Sequence, residues 1–419
     1  MGTAWFLHAA PALQGTGFPE GVLYGRPDSL TLLPLGLLPG DPAAWMGWLA
    51  TLGVAMSAWA AMAFAESLGA KRPWSAVAGL SFGFGGLAAT AVLEGYPYLV
   101  LNPWLPLFGI AWTRGQGARA GLWGLLCLLT SGYLAIAAGL LALGFAGFRR
   151  EHLRAGWVLP FVALYLWGFA GAEQAAGADA QLAPIADRLW RMATPLAETD
   201  TLLNGQSAAL LGTVLGLALA GPAVVRGWAG PFRAMVLSLG LALLPLSGDN
   251  ALAQALLRFP ERTLWCFALG AGCMAALCLT QLVQRHRATS VLLGLAAVEV
   301  FVLGPPMRQG WQPATLPSAY SGVEGAVLDL HPEQVWHDAR GELWATNSDC
   351  FNARLHGQPI ADHCLFVPGS ESPRLSLGRD VLEAALNGGP LQPPPGFEHV
   401  VLHEDRFHPA DLARLRRHP

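Results

Sequence analysis

Charge is what this sequence has least of. Of its 419 residues, 25 are Lys or Arg and 28 are Asp or Glu, 13% together, against 53% hydrophobic. So little charge cannot clothe a soluble globule of this length. The apolar residues also lie in runs rather than at core periodicity, which is the composition of a polytopic membrane protein. A net charge of -3 offers no basic surface to nucleic acid, which is excluded as a partner. Cysteine is scarce too: six residues, with no CxxC and no Cys/His metal spacing, so no metal site is assigned. Cys127, Cys266, Cys273 and Cys278 fall in apolar runs, where thiols pack as small hydrophobes; Cys350 and Cys364 fall in a polar tail. The opening stretch lacks the basic start and long apolar core of a signal peptide.

What is present is a succession of apolar segments. Spans are expected near 44–65, 75–93, 98–112, 121–131, 134–148, 155–173, 207–225, 232–247, 263–283 and 289–304, about ten in all. The run 121–148 would be roughly 42 Å long as one helix, against a hydrocarbon core of roughly 30 Å, and Ser131-Gly132-Tyr133 at its middle predicts a hairpin. With two passes there, Lys71/Arg72, Arg114/Arg119, Arg149/Arg150/Arg154, Arg226/Arg233 and Arg285/Arg287 all fall on one side, which the positive-inside rule makes cytoplasmic. The fold class expected is therefore mostly α: a polytopic transmembrane helical bundle (44–304), preceded by an extracytoplasmic loop segment (1–43) and followed by a small extracytoplasmic α/β domain (305–419). Within that tail, strands are expected at 325–330 and 399–403, and helices at 379–386 and 409–415. A first segment of 43 residues outside calls for a preceding helix, so the chain is expected to be short by one N-terminal helix.

Three stretches on the outer side carry the chemistry-bearing residues. The hinge Glu94-Gly95-Tyr96-Pro97 puts a lone carboxylate and an aromatic between two apolar segments. Two readings stand: a functional carboxylate at the membrane edge, or a solvated turn. The corner Arg258-Phe259-Pro260-Glu261-Arg262 breaks the charge rule. Its arginines suit bidentate contacts to a phosphate, or snorkel to lipid headgroups with Glu261 as partner. Glu20 and Asp28 in the first segment are either loop charges or catalytic carboxylates. The 174–206 loop reads as an amphipathic surface helix, and its Glu198-Thr199-Asp200 is the only DxD-like pair in the outer membrane loops, weak grounds for a metal. A Cys350–Cys364 disulfide is plausible on an oxidising side and would be worth roughly 3 kcal/mol; free thiols are the alternative.

Taken in order, these words resemble the YfhO-like bacterial membrane proteins of the GT-C glycosyltransferase superfamily. The similar words are Gly17-Phe18-Pro19-Glu20-Gly21, Ala78-Gly79-Leu80 with Phe82 and Phe84, Asn102-Pro103-Trp104-Leu105-Pro106-Leu107, and Arg258-Phe259-Pro260-Glu261-Arg262, the sharpest of them. In the tail Ala326-Val327-Leu328-Asp329-Leu330, His356-Gly357-Gln358-Pro359-Ile360 and Val400-Val401-Leu402-His403 follow in the same order.

The resemblance implies a glycosyltransferase of the inner membrane that takes a sugar from a polyprenyl phosphate on the extracytoplasmic face, with lipid-linked sugar and membrane lipids as partners. Glu20, Asp28 and Glu94 are its candidate bases, and Tyr96, Arg258, Glu261 and Arg262 its candidate substrate contacts. That family places its catalytic carboxylate after a first helix, which is missing here. A catalytically degenerate scaffold and a lipid-linked glycan flippase or transporter are the alternatives. Cofactor, sugar and acceptor stay open.

Overall fold

A computed structural model describes residues 42–93, 99–145, 150–170, 212–243, 263–282, 291, 294, 318–320, 322–330, 335–337, 343–345, 375–402, 404 and 407–416. The chain divides into two compact units, one helical and one formed by the C-terminal region from Gln312. Among the described residues the protein is mostly helical.

The helical unit contains α1 (Pro42–Ser67), α2 (Ser75–Gly83), α3 (Gly86–Leu93), α4 (Trp104–Thr113), α5 (Gly117–Thr130), α6 (Gly132–Gly144), α7 (Leu159–Ala170), α8 (Gly212–Val224), α9 (Ala229–Leu243) and α10 (Leu264–Leu282). A 3-10 helix, Arg150–Val158, leads into α7. At the centre lies α10, buried along nearly its whole length and packed against α1, α2, α6, α8 and α9. Small residues allow this: a Cβ at Gly272 would sit 3.0 Å from the Cα of Ala78, and one at Gly270 would sit 2.9 Å from the Pro231 carbonyl. Close backbone approach through small residues is how helices associate where no hydrophobic gain separates side chain from surroundings.

Among the described residues two helices are long and apolar enough to cross a bilayer, Trp48–Ser67 and Leu264–Leu282. The others are shorter than the expected spans, except α5, which at 14 residues exceeds the expected 121–131. The expected span 98–112 is helical only from Trp104, because Pro103 and the residue before it disfavour a helix running through them. The span 75–93 is interrupted at Phe84-Gly85. The span 289–304, apart from Val291 and Gly294, lies outside the described residues, as do the loop 174–206 expected to form a surface helix and the Arg258–Arg262 corner.

The hairpin at Ser131 is found. Ser131 is extended (φ -166, ψ 139) between α5 and α6, and the 3-10 helix that follows α6 returns to the start of α5, where a Cβ on Gly117 would overlap the Glu151 carbonyl. His152, buried, stacks on Trp112 with ring centroids 4.0 Å apart, and its Nε2 lies 2.9 Å from the Trp112 carbonyl oxygen. One straight helix over 117–144 would separate its ends by roughly 40 Å and make these contacts impossible.

The C-terminal unit has β1 (Val327–Leu330), β2 (Val335–His337), β3 (Leu343–Ala345), α11 (Leu375–Leu386), β4 (His399–Leu402) and α12 (Pro409–Leu415). β1 and β4 pair in parallel, Val327 opposite His399 and Leu330 opposite Leu402. All four residues of β1 are buried, as a strand covered on both faces requires. α11 packs on β1, and Leu382, Ala385, Phe407 and Leu415 close a second small core. Pro409 opens α12 at a position where its missing N–H is no loss, and His408 caps it by accepting from the Ala410 N–H at 3.3 Å. β2 and β3 form an antiparallel pair in addition to the strands expected in this region.

Candidate functional site

The residues proposed from sequence, Glu20, Asp28, Glu94, Tyr96, Arg258, Glu261, Arg262, Cys350 and Cys364, all lie outside the described residues. Their described neighbours are anchored. Leu99, after the Glu94 hinge, is fully buried. Thr263, after Arg262, is buried, and its carbonyl accepts the Ser238 hydroxyl at 2.7 Å. Among the described residues no group of three His, Cys, Asp or Glu could hold a metal ion.

What the structure does build is a break in the helical order at Leu99–Pro103, pressed against α1. Gly53 and Ser57 lie one turn apart on α1 and so share a face. A Cβ on Gly53 would meet the Leu101 nitrogen at 3.0 Å, and the Ser57 hydroxyl donates to the Val100 carbonyl at 2.6 Å while accepting the Asn102 N–H at 2.9 Å. Non-helical backbone inside an apolar bundle requires such partners, since each unpaired polar group is costly there. Ser57 falls at the middle of the apolar stretch Trp48–Ser67. The ten residues of α4 then run from this point, level with the middle of α1, roughly 15 Å to Arg114. α4 is thus a half-helix.

The side chain of Asn102 is fully buried, and neither its Nδ2 nor its Oδ1 has a hydrogen-bond partner; among the described residues it is the only side chain with two such atoms. Trp104 Nε1 is likewise buried and unpartnered, while its ring stacks on Trp123 at 5.9 Å and 11°. Sequence reasoning quoted Asn102-Pro103-Trp104 as a word but gave it no role. The signal available was a polar residue next to a helix breaker within an apolar run.

At the other end the basic loops are joined by contacts. Arg72 pairs with Glu66 at 2.7 Å, and Ser75 donates to the same carboxylate at 3.0 Å, tying α1 to α2. The Lys71 N–H donates to Thr280 Oγ1 at 3.0 Å. The Gln281 carboxamide, oriented by its neighbours, donates to the Val224 carbonyl and accepts the Arg226 N–H at 3.2 Å. Gly230 faces the Phe145 ring, and Gly117 meets Glu151. The loops holding Lys71/Arg72, Arg226, Arg150/Arg154 and Arg114/Arg119 therefore gather at one end, opposite the Ser131 turn. Arg285 and Arg287 lie outside the described residues.

Comparison with family models, with curated proteins and with solved structures finds no match to this chain.

Proposed function

We propose that the helical unit is embedded in a membrane with its basic loops on the cytoplasmic side, and that the protein is a membrane glycosyltransferase-like protein taking a polyprenyl-phosphate-linked sugar on the opposite face. The observation that carries the membrane half is the surface of α1. Trp48, Leu52, Met56 and Trp59 form one stripe along it, 44–63% exposed, while Leu49, Ala50, Ser57, Ala61 and Phe64 on other faces are buried. Water does not tolerate a tryptophan-rich stripe of that length, and lipid does. The gathering of the basic loops at one end supports the orientation.

The chemical half rests on the ordered words shared with the YfhO-like proteins. The described ones among them hold backbones together: Gly79 seats α2 on α1, and Phe82 meets Trp265 edge-on at 5.4 Å. Such words report the fold more than the chemistry, so the assignment depends on Arg258, Arg262 and Glu94. A half-helix beginning level with the middle of α1 favours a second reading, a lipid-linked glycan flippase, since transporters build polar sites at broken helices.

The test is the full chain reconstituted in liposomes with a polyprenyl phosphoglucose. Release of polyprenyl phosphate as the glucosyl group passes to a lipid hydroxyl supplied as acceptor, or to water, with the acceptor's proton lost to solvent, supports the transferase; movement of intact lipid between leaflets supports the flippase; neither activity removes both. For a transferase, Arg258→Ala or Arg262→Ala should cost roughly 1.5–3 kcal/mol in kcat/KM, the scale of a hydrogen bond to a charged group. Glu94→Gln should lower kcat more than lipid binding.

A further inference from the structure

The segment between α6 and α7 is pinned by a few contacts and exposes the rest of itself. Arg150–Val158 is a 3-10 helix, in which side chains three residues apart line up in rows. The row His152, Ala155 and Val158 is the more covered one: His152 stacks on Trp112, and the Ala155 backbone lies against Gly121 of α5. The Trp157 indole N–H donates to the Ala118 carbonyl at 3.4 Å. The other two rows set an exposed arginine beside an exposed apolar side chain, Arg150 with Leu153 and Arg154 with Trp157. Leu153 is 67% exposed, and exposed Leu159, Phe161 and Leu164 carry the apolar surface on into α7.

Charge selects the partner. Arg114, Arg119, Arg150 and Arg154 are exposed around this segment, and among the described residues none of them pairs with an acid. Arg119 reaches the neutral Gln116 at 3.2 Å, and the segment's own acid is the single Glu151. Apolar side chains beside unpaired arginines match a hydrocarbon edge that meets a layer of phosphates. An acidic protein surface would neutralise the arginines and leave Leu153, Leu159 and Phe161 facing water. Zwitterionic headgroups bring as many ammonium groups as phosphates, so the match is to an anionic lipid.

We propose that Arg150–Val158 lies in the membrane surface at the basic end and binds an anionic phospholipid, with Arg119, Arg150 and Arg154 holding its phosphate and Leu153 and Trp157 resting against its acyl chains. The inference rests on the membrane reading proposed above and adds a lipid preference to it.

The full chain in detergent is titrated with dioleoyl phosphatidylglycerol and with dioleoyl phosphatidylcholine, and native mass spectrometry reads the affinity of the first lipid bound. Wild type should hold phosphatidylglycerol at least about tenfold more tightly. The double variant Arg150→Gln/Arg154→Gln should weaken that binding roughly fivefold per arginine, the equivalent of about 1 kcal/mol each, and leave phosphatidylcholine unchanged. Arg150→Lys/Arg154→Lys keeps the charge and should keep most of the preference. Arg226→Gln/Arg233→Gln, which removes two exposed arginines at the same end but outside the segment, should leave the first site as it was. Equal loss in both glutamine pairs would mean a diffuse basic end, displacement of the lipid by millimolar glycerol phosphate would mean a site for free anions, and no preference in wild type would mean no lipid site; each overturns the proposal. Carbonate washing of membranes separates this from the membrane reading. A chain that stays in the pellet without a lipid preference leaves that reading intact, and a chain released by carbonate overturns both.

Discussion

The Ser57 hydroxyl donates to the Val100 carbonyl at 2.6 Å across 43 residues of sequence, and the same oxygen accepts the Asn102 N–H. One serine in an apolar helix thereby supplies the hydrogen bonds that a broken helix cannot make for itself.

Ser57→Ala leaves a buried carbonyl and a buried N–H unpaired and should cost about 1–3 kcal/mol. Gly53→Val should cost more, because the atoms a Cβ meets there are the Leu101 and Val100 backbone, which cannot rotate away. Thermal unfolding in detergent reads both, and two variants as stable as wild type would remove the argument for a fixed break.

The hairpin of α5 and α6 can be tested by cross-linking. In a chain whose native cysteines are replaced by alanine, Gly121→Cys and Ala155→Cys should join on mild oxidation, since a Cβ at Gly121 lies 3.2 Å from the Cα of Ala155 and the nearer Trp157 indole is a side chain that can turn aside. A continuous helix over 117–144 forbids that bond, and its failure to form at any oxidant level would argue for one.

Topology is read by cysteine accessibility. Introduced cysteines at Ser29 and Ser370, both outside the described residues, should label from the extracytoplasmic face. One at Arg119, an exposed position in the first turn of α5 at the basic end, should label only after permeabilisation. Gly117 in the same turn is buried and unsuited to the probe. Labelling of Arg119→Cys in intact cells would reverse or break the proposed arrangement.

In the C-terminal unit, Arg416 Nη2 donates to Glu404 at 2.6 Å and its Nε at 3.2 Å, which holds the Glu404 carboxyl below its ordinary value. A depressed carboxyl stabilises the folded state above the unfolded value, about 4.3, and that contribution is lost as the pH falls through the folded value. Both groups are exposed, so the effect on stability is small. An NMR titration should place the Glu404 midpoint lower in wild type than in Arg416→Ala; equal midpoints would refute the pair.

Much of the helical order was legible because lengths and breakers are local. Pro42–Ser67 and Leu264–Leu282 follow from unbroken apolar runs, the Ser131 turn from a run too long for one helix, and α12 from Pro409 after a capping residue. The β2–β3 pair was not legible: its strands are three residues each, too short to show alternation. The candidate site divides in the same way. Glu94 and the Arg258–Arg262 corner stood out as charges in apolar surroundings, a contrast visible along one dimension. Asn102 did not, because its neighbours in sequence satisfy nothing and only the fold shows that its neighbours in space do not either.

By itself, then, the sequence determined that the chain is apolar, helical and charged mainly in its loops, since hydropathy and breakers act within a few turns. Only the tertiary structure decided which loops meet, that α4 starts level with the middle of α1 against Gly53 and Ser57, and that an asparagine is buried there with both ends unpaired. Those facts depend on contacts between segments more than 30 residues apart, and no local pattern encodes which small residue a distant backbone will press against.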